Sequence, residues 1–212
     1  EHTVAKNAYS RMRIGSRLQR RTLLKLALMS SENLAAHTLA HHHPGGREAF
    51  IAAMNDTAER LGMDRAQFVD PSGLSPANRA SAQGLLRLVR AAHDRPTIRD
   101  LSTTRHHSAR FQGPYYRLGY GNTNALVSRG DWHVSLSKTG YLNEAGRCLA
   151  MVADVEGEPV AMVFLNAHGS RTPLGDAGRV RSWLTTGESG RIAPAARRYE
   201  HEQAQRLDAH DQ

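Results

Sequence analysis

Lysine is scarce in this chain of 212 residues, which carries 28 Lys and Arg against 20 Asp and Glu for a net charge of +8. Only three of the cations are lysines: Lys6, Lys25 and Lys138. An arginine guanidinium stays charged and forks across planar anions, whereas a lysine ammonium is a compact point charge whose pKa shifts on burial. Each lysine is therefore a candidate for a role that arginine cannot fill.

Cysteine, long apolar runs and aromatic residues are scarce as well. Cys148 is the one cysteine, which excludes an intramolecular disulfide, and its neighbours predict a small apolar residue inside a strand. No run approaches the roughly 20 apolar residues that a transmembrane helix needs. Because aromatics make up 6% of the residues and the arginines are scattered, the sequence does not favour a nucleic-acid groove. The positive charge remains compatible with an anionic polymer as partner.

The first half of the chain has the periodicity of helices. Residues 22–29, TLLKLALM, are apolar on almost every face, which is typical of a buried helix, and the pattern resumes at 34–40. Apolar residues at helical spacing predict another helix over 50–61. The turn-rich segment 68–78, FVDPSGLSPAN, follows, and Ser81 is placed to cap the next helix.

The second half is rich in β-prone residues. Alternation over 132–138 predicts a strand, and two denser apolar runs, CLAMVADV and VAMVFLNA, predict a hairpin buried on both faces or nearly so. A closing helix should bury Ala177, Val180, Trp183 and Leu184 on one side and end at Gly187.

This order predicts an α+β chain with one catalytic-size domain over residues 1–187. Its helical lobe is expected at about 20–110, and its antiparallel sheet and closing helix at about 115–187. Residues 188–212 are polar and are expected to form a poorly ordered tail. Three or four strands make a small sheet, which indicates that part of the sheet is missing.

Histidines are the most obvious candidate metal ligands, since the chain has 12 of them. His37 and His41 are four apart, a spacing that suits zinc on a helix face. No carboxylate has an evident place beside them, and the cluster ends at a Pro-Gly-Gly helix stop, so a polar helix end is predicted and no metal site. The pair His106-His107 is predicted to lie in an exposed loop.

Two short polar motifs interrupt apolar segments. Ser31-Glu32-Asn33 has two interpretations: either Ser30 or Ser31 caps a new helix, or a serine hydroxyl and an asparagine amide point into a cleft. Lys138-Thr139-Gly140 ends the first clear strand, where glycine lets another backbone approach closely. Each motif is common by itself, but the S-x-N and K-T-G pair in this order is typical of penicillin-recognising serine enzymes.

The chain resembles the low-molecular-mass penicillin-binding proteins, the serine D-alanyl-D-alanine carboxypeptidases and endopeptidases of peptidase family S11, and most of all their endopeptidase branch. The resemblance runs from about Arg13 to Leu184. Its matching stretches are RIGSRL, LALMSSENLAAHTLAHHHPGG, FVDPSGLSPAN, LSTTR, NTNALV and SKTGYLNEAGRCLAMV. It implies a penicillin-recognising, β-lactamase-like fold and no cofactor.

The resemblance also implies roles for the two motifs. Ser31 would relay a proton toward the departing D-alanine nitrogen, and Asn33 would hold the peptide of the substrate. Lys138 would supply positive charge beside Ser31 and the terminal carboxylate, which Thr139 would bind. Gly140 would let the substrate approach, and the N–H of Tyr141 would be one donor of the oxyanion hole.

The family's S-x-x-K element, which holds the nucleophile, has one formal match, Ser135 with Lys138. On a strand, residues three apart point to opposite faces, so this pair does not fit. Lys6 follows Thr3, not a serine, at that spacing. We expect the tetrad and the first strands to lie before Glu1, and this chain alone to be inactive.

The implied partners are peptidoglycan peptides ending in D-Ala-D-Ala, with β-lactams as ligands of the intact enzyme and a periplasmic or cell-envelope location. Neither nucleic acid nor a membrane span is expected. A non-catalytic module that binds D-Ala-D-Ala peptides through Lys138 and Thr139 remains an alternative. The choice between carboxypeptidase and endopeptidase depends on the shape of the pocket.

Overall fold

A computed structural model describes residues 9–208 of the chain. The sequence features at Glu1, Thr3 and Lys6 lie outside the described residues. Within this range the elements are helices followed by antiparallel strands and closing helices, so the predicted α+β class is confirmed. No described helix combines the length and the apolar character that crossing a membrane requires.

Five helices form the first half of the fold. They are α1 (Arg20–Ser30), α2 (Asn33–His41), α3 (Gly46–Arg60), α4 (Ala82–His93) and α5 (Pro96–Ser102). The Ser81 hydroxyl accepts a hydrogen bond of 3.0 Å from the N–H of Gly84, which confirms the predicted cap of α4. Between α3 and α4, the buried carboxylate of Asp70 accepts hydrogen bonds from the backbone N–H groups of Ser72, Gly73 and Ser75 and orders the predicted turn.

In the part of the chain that the structure describes, five strands form two separate antiparallel sheets. Strands β1 (His106–Phe111) and β2 (Tyr116–Gly121) make a two-stranded sheet. After the short helix α6 (Ala125–Arg129), a second sheet has the order β3-β4-β5. Its strands are β3 (Val134–Leu142), β4 (Gly146–Val155) and β5 (Glu158–Ala167).

The β1–β2 hairpin corrects one prediction. His106 and His107 begin a strand instead of lying in an exposed loop, and the facing strand β2 contains Gly119 and Gly121. The cause is tertiary packing: the inward residues of the hairpin join the buried core of α1. That core contains Leu26, Met29, Ala35, Ala109, Phe111 and Tyr120.

The three-stranded sheet is covered on both faces. Met151 and Ala153 of β4 pack with Ala177 of α7 (Thr172–Thr186), while Val152 packs with Val89 of α4. The predicted burial of the hairpin on both faces is therefore confirmed for β4, whereas residues at both ends of β5 are exposed. Gly187 ends α7 as predicted, with φ 77°. Trp183 and Leu184 are 57% and 44% exposed, so the predicted burial of that side of α7 is wrong for its last turn.

A further helix, α8 (Pro194–Asp208), lies in the segment that the sequence analysis describes as a polar tail. Pro194 suits a first helical position, and the alanines and arginines that follow are strong helix formers. Tyr199 contacts the end of β5 and the residue after it. Its hydroxyl donates a hydrogen bond of 2.8 Å to Asn166 Oδ1, and its ring stacks on His168. The helix has few apolar residues and no apolar stripe along one face, so the periodicity of apolar residues did not predict it.

Candidate functional site

The junction between α1 and α2 turns the Ser31 side chain out of both helices. Ser31 ends α1 in a left-handed conformation, with φ 53°. Glu32, not a serine, caps α2, since its carboxylate accepts a hydrogen bond of 3.3 Å from the N–H of Leu34. Ser30 donates to the carbonyl of Leu26. The prediction that Ser30 or Ser31 caps the second helix is therefore wrong, and the Ser31 hydroxyl is left for another partner.

That partner is Lys138, 107 residues further along the chain, whose ammonium donates a hydrogen bond to Ser31 Oγ. The ammonium also donates to the carbonyl of Thr139. Burial lowers the pKa of Lys138 from its ordinary value of 10.5 to about 8. Within residues 9–208, the ion pair that forms is Arg179–Asp176, and Lys138 has no carboxylate partner. Nothing there therefore counteracts the effect of burial on the pKa of Lys138. Lys138 can thus exchange a proton near neutral pH beside a serine hydroxyl.

Thr123 joins the two motifs and was missed by the sequence analysis. Its hydroxyl accepts a hydrogen bond of 2.6 Å from the Thr139 hydroxyl, and its N–H donates to the carbonyl of Met29 at 3.0 Å. It therefore connects the end of α1 with β3. The sequence did contain a signal for Thr123, because this residue belongs to the NTNALV stretch that resembles the family. The sequence analysis gave that stretch no role in the site.

Behind Lys138, a buried polar pair holds β3 in place. Asn124 is fully buried and donates a hydrogen bond of 3.0 Å to the hydroxyl of Ser137. The N–H of Ser137 in turn donates to Ser102 Oγ at the end of α5. Buried polar groups that are all hydrogen-bonded specify a unique arrangement. This pair fixes the strand position from which Lys138 extends.

The K-T-G segment lies on an edge strand. Among the strands of the described residues, β3 pairs with β4 only, in a register that places Gly140 opposite Cys148 and Tyr141 opposite Arg147. An edge strand offers backbone donors and acceptors to an extended peptide. Tyr141 is 51% exposed, and the Arg147 guanidinium lies 4.2 Å from the centre of its ring.

Ser135 lies away from this arrangement. Its hydroxyl is 2.9 Å from His93 Nε2 on α4, and Lys138 instead contacts Ser31. Asn33 begins α2, two residues after Ser31. The fold thus brings together the predicted site residues Ser31, Asn33, Lys138 and Thr139. The two side chains of the formal S-x-x-K match, Ser135 and Lys138, contact different partners.

The other candidate ligands form no metal site in the described part of the chain, where no group of three or more His, Cys, Asp or Glu could hold an ion. His37 and His41 lie on α2. Cys148 is a free, half-buried thiol on β4.

A cavity of about 280 Å³ opens beside Ser31. The residues that line it come from the S-x-N segment, from the end of β2 and the residues after it, and from the chain before α1. They are Tyr9, Arg11, Ser30, Ser31, Glu32, Asn33, Tyr120, Gly121 and Thr123. The lining is mainly polar, and it includes both a carboxylate and a guanidinium.

Comparison with known proteins gives a consistent result. The sequence model of the D-alanyl-D-alanine carboxypeptidase family, peptidase S11, matches residues 1–169. A D-alanyl-D-alanine endopeptidase of Escherichia coli (strain K12) is 46% identical over 204 residues, which are 96% of this chain and 66% of that protein. One of Pseudomonas aeruginosa is 44% identical over 199 residues, 94% of this chain and 64% of that protein.

Solved structures agree. The Streptomyces K15 DD-transpeptidase has a TM-score of 0.76 at 25% identity, over 82% of this chain and 70% of that one. The predicted penicillin-recognising fold is confirmed by this match. The chain spans 66% and 64% of the length of the two endopeptidases above. By the family match and these identities, the chain belongs to the D-alanyl-D-alanine carboxypeptidase family, peptidase S11.

Proposed function

We propose that this chain belongs to a serine-type D-alanyl-D-alanine carboxypeptidase or endopeptidase that acts on peptidoglycan stem peptides through an acyl-enzyme. The observation that carries the proposal is the hydrogen bond from Lys138 to Ser31 across 107 residues of sequence. The relatives named as D-alanyl-D-alanine endopeptidases support the same activity.

In this proposal the cleft between α2 and β3 receives the terminal D-Ala-D-Ala. Lys138 and Thr139 bind its carboxylate through charge and a hydroxyl donor, and Gly140 lets the peptide approach the edge of β3. Asn33 holds the peptide bond upstream. The Tyr141 N–H is a donor of the oxyanion hole, where charge develops during acyl transfer.

Ser31 and Lys138 would together pass a proton to the leaving amine. A lysine with a pKa of about 8 carries both protonation states in useful amounts near neutral pH, which suits proton transfer. Its hydrogen bond to Ser31 provides the path. An arginine would stay charged and could not exchange the proton.

No residue of this chain is assigned as the nucleophile. Ser135 and Lys138 are the formal S-x-x-K match, and Ser135 pairs with His93. The contacts of Lys138 with Ser31 and of Thr139 with Thr123 also fit a second candidate function, a non-catalytic module that binds D-Ala-D-Ala peptides. The proposed partners are the same in both cases, namely peptidoglycan peptides of the cell envelope, with β-lactams as ligands of an acylating enzyme.

Binding of an N-acetylated tripeptide ending in D-Ala-D-Ala tests the proposed site. Calorimetry should detect reversible binding to the 212-residue chain, and Lys138→Ala should weaken it by about tenfold or more because an ion pair is lost. Lys25→Ala, which removes a lysine of α1, is the matched control and should leave affinity unchanged. Equal affinity for a peptide ending in D-Ala-L-Ala, or no effect of Lys138→Ala, would contradict the site assignment.

Labelled penicillin tests whether this chain itself carries the nucleophile. We expect no stoichiometric covalent adduct, since the S-x-x-K match pairs Ser135 with Lys138, and in the fold Ser135 contacts His93 instead of that lysine. An adduct would show that the chain is catalytically competent, and mass spectrometry of the labelled peptide would identify the nucleophile.

A further inference from the structure

The chain before α1 packs against the turn of the β1–β2 hairpin, and the two segments, residues 11–17 and 110–117, form one surface, here called the hairpin-tip surface. The N–H of Arg17 donates a hydrogen bond of 2.8 Å to the carbonyl of Gln112, whose own N–H donates back to Arg17 at 3.1 Å. The Tyr116 hydroxyl also accepts a backbone N–H of the first segment, at 2.9 Å. These hydrogen bonds fix the two segments relative to each other.

Two large side chains protrude from this surface. Ile14 is 98% exposed, although Met12 and Leu18 on either side of it pack against the core of α1 and the hairpin. Tyr115 is 87% exposed, although Tyr116 next to it packs against the same core. Each protruding side chain thus has neighbours that the fold covers, and it points away from them into solvent.

The residues around these two side chains include arginines but no acidic residue. Residues 9–31 and 101–130 contain neither Asp nor Glu. Arg110 and Arg117 lie directly opposite each other on β1 and β2, where like charges destabilise a strand pair, and neither forms an ion pair within residues 9–208. An anion bound between the two guanidinium groups would remove this repulsion. The exposed arginines of the surface are Arg11, Arg13, Arg17, Arg110 and Arg117.

From these observations we propose that the hairpin-tip surface docks on a membrane that contains anionic phospholipids. Ile14 enters the boundary between headgroups and acyl chains, and Tyr115 lies at the headgroup level, where its ring and hydroxyl both find a suitable environment. The arginines bind the lipid phosphates, which a guanidinium contacts through two hydrogen bonds. The inference goes beyond the proposed function and does not depend on it.

Two simpler explanations account for part of the surface only. Single exposed apolar side chains are common in soluble proteins and need no partner. Here, however, two of them extend from neighbouring turns that hydrogen bonds hold together, beside an unpaired arginine pair. An anionic polymer in solution would explain the arginines, but it would gain little from an aliphatic side chain such as Ile14. A lipid surface uses both features.

Docking through this surface leaves the proposed D-Ala-D-Ala cleft open. Gly121, at the far end of β2, lines the cavity beside Ser31. At a rise of about 3.4 Å per residue, Gly121 lies about 17 Å along the strand from Tyr116 at the tip. The tip can therefore contact a bilayer while the cleft remains accessible to a substrate.

Sedimentation with lipid vesicles tests the proposal. The 212-residue chain should bind vesicles of phosphatidylcholine and phosphatidylglycerol in equal parts, should not bind phosphatidylcholine alone, and should be released by high salt. Arg110→Gln combined with Arg117→Gln should weaken binding by about tenfold or more, because two charges are lost. Ile14→Ser combined with Tyr115→Ser should weaken it by about as much, because no side chain then enters the interface.

Matched controls remove the same groups from other parts of the molecule. Arg197→Gln combined with Arg198→Gln removes two charges from exposed positions of α8, and Trp183→Ser removes an exposed aromatic side chain from α7. Both controls should bind the mixed vesicles as the wild-type chain does. Thermal unfolding of each variant checks that the fold is retained.

Three results would overturn the proposal. Equal weakening by the two arginine pairs would mean that net charge alone attracts the chain to lipid. Unchanged binding after loss of Ile14 and Tyr115 would mean that the tip does not enter the interface. Absence of vesicle binding, together with binding to isolated peptidoglycan that requires Arg110 and Arg117, would assign the surface to an anionic polymer. None of these results bears on the D-Ala-D-Ala site, which the Lys138→Ala comparison tests separately.

Discussion

Asn124 is the residue on which the position of Lys138 depends most directly. It is fully buried, caps α6 by accepting the Leu126 N–H at 3.0 Å, and donates to Ser137 next to Lys138. One amide thus satisfies a helix end and a strand hydroxyl at the same time. Such a group is costly to remove because its partners stay buried without it.

Replacing Asn124 should therefore cost both stability and binding. Asn124→Ala should lower the free energy of unfolding by about 2–3 kcal/mol, because a cap and a buried hydrogen bond are lost together. Urea denaturation measures this, with the exposed Asn143→Ala as control. An Asn124→Ala protein as stable as the control variant would mean that Ser137 finds another partner.

At the scale of elements, the β1–β2 hairpin owes its structure to α1. Phe111 is 2% exposed and stacks on Tyr116 with ring centres 4.4 Å apart, and it packs against Leu26 and Met29. The outward positions, such as Gly119 and His106, have little strand propensity of their own. Packing of the inward face therefore overrides local preference.

Phe111→Ala should destabilise the chain by about 3–5 kcal/mol, since a large aromatic side chain is removed from a closed core. Hydrogen exchange should show the greatest loss of protection in β1, β2 and α1. Tyr115→Ala, at a position that is 87% exposed, should leave the exchange unchanged. Uniform loss across all elements would argue that the hairpin is not a separate unit.

For the whole molecule, the buried ammonium makes stability depend on pH. The pKa of Lys138 is 10.5 in its ordinary state and about 8 in the fold, so between these values the unfolded chain binds more protons. Stability must then rise with pH over this window. Above about pH 10 the raised pKa of Tyr120 acts in the opposite direction, since the unfolded phenol ionises first.

Urea denaturation from pH 7.5 to pH 9.5 measures this contribution. Relative to Lys138→Met, which lacks the titrating group, the wild-type chain should gain about 2 kcal/mol over this range. Parallel stability curves for the two proteins would mean that Lys138 is not desolvated in the fold.

Periodicity and turn chemistry in the sequence are sufficient to predict helices α1 to α4 and α7, strands β3 to β5, the Ser81 cap and the end of α7 at Gly187. These features depend on neighbours within one or two turns, so local spacing carries them. The S-x-N and K-T-G motifs likewise identified the family. The hairpin at 106–121 and the helix α8 were not predicted, because their formation depends on distant packing or on propensity without an apolar stripe.

Only the tertiary structure brings Lys138 to Ser31, Thr123 to Thr139, and Arg11 to Tyr120 and the cavity beside Glu32. A polar contact between residues 16 positions apart, as for Thr123 and Thr139, or 107 apart, as for Ser31 and Lys138, leaves no periodic pattern in either segment. The sequence therefore contains the groups of the site, whereas the fold decides which of them meet and how far the pKa of each is shifted.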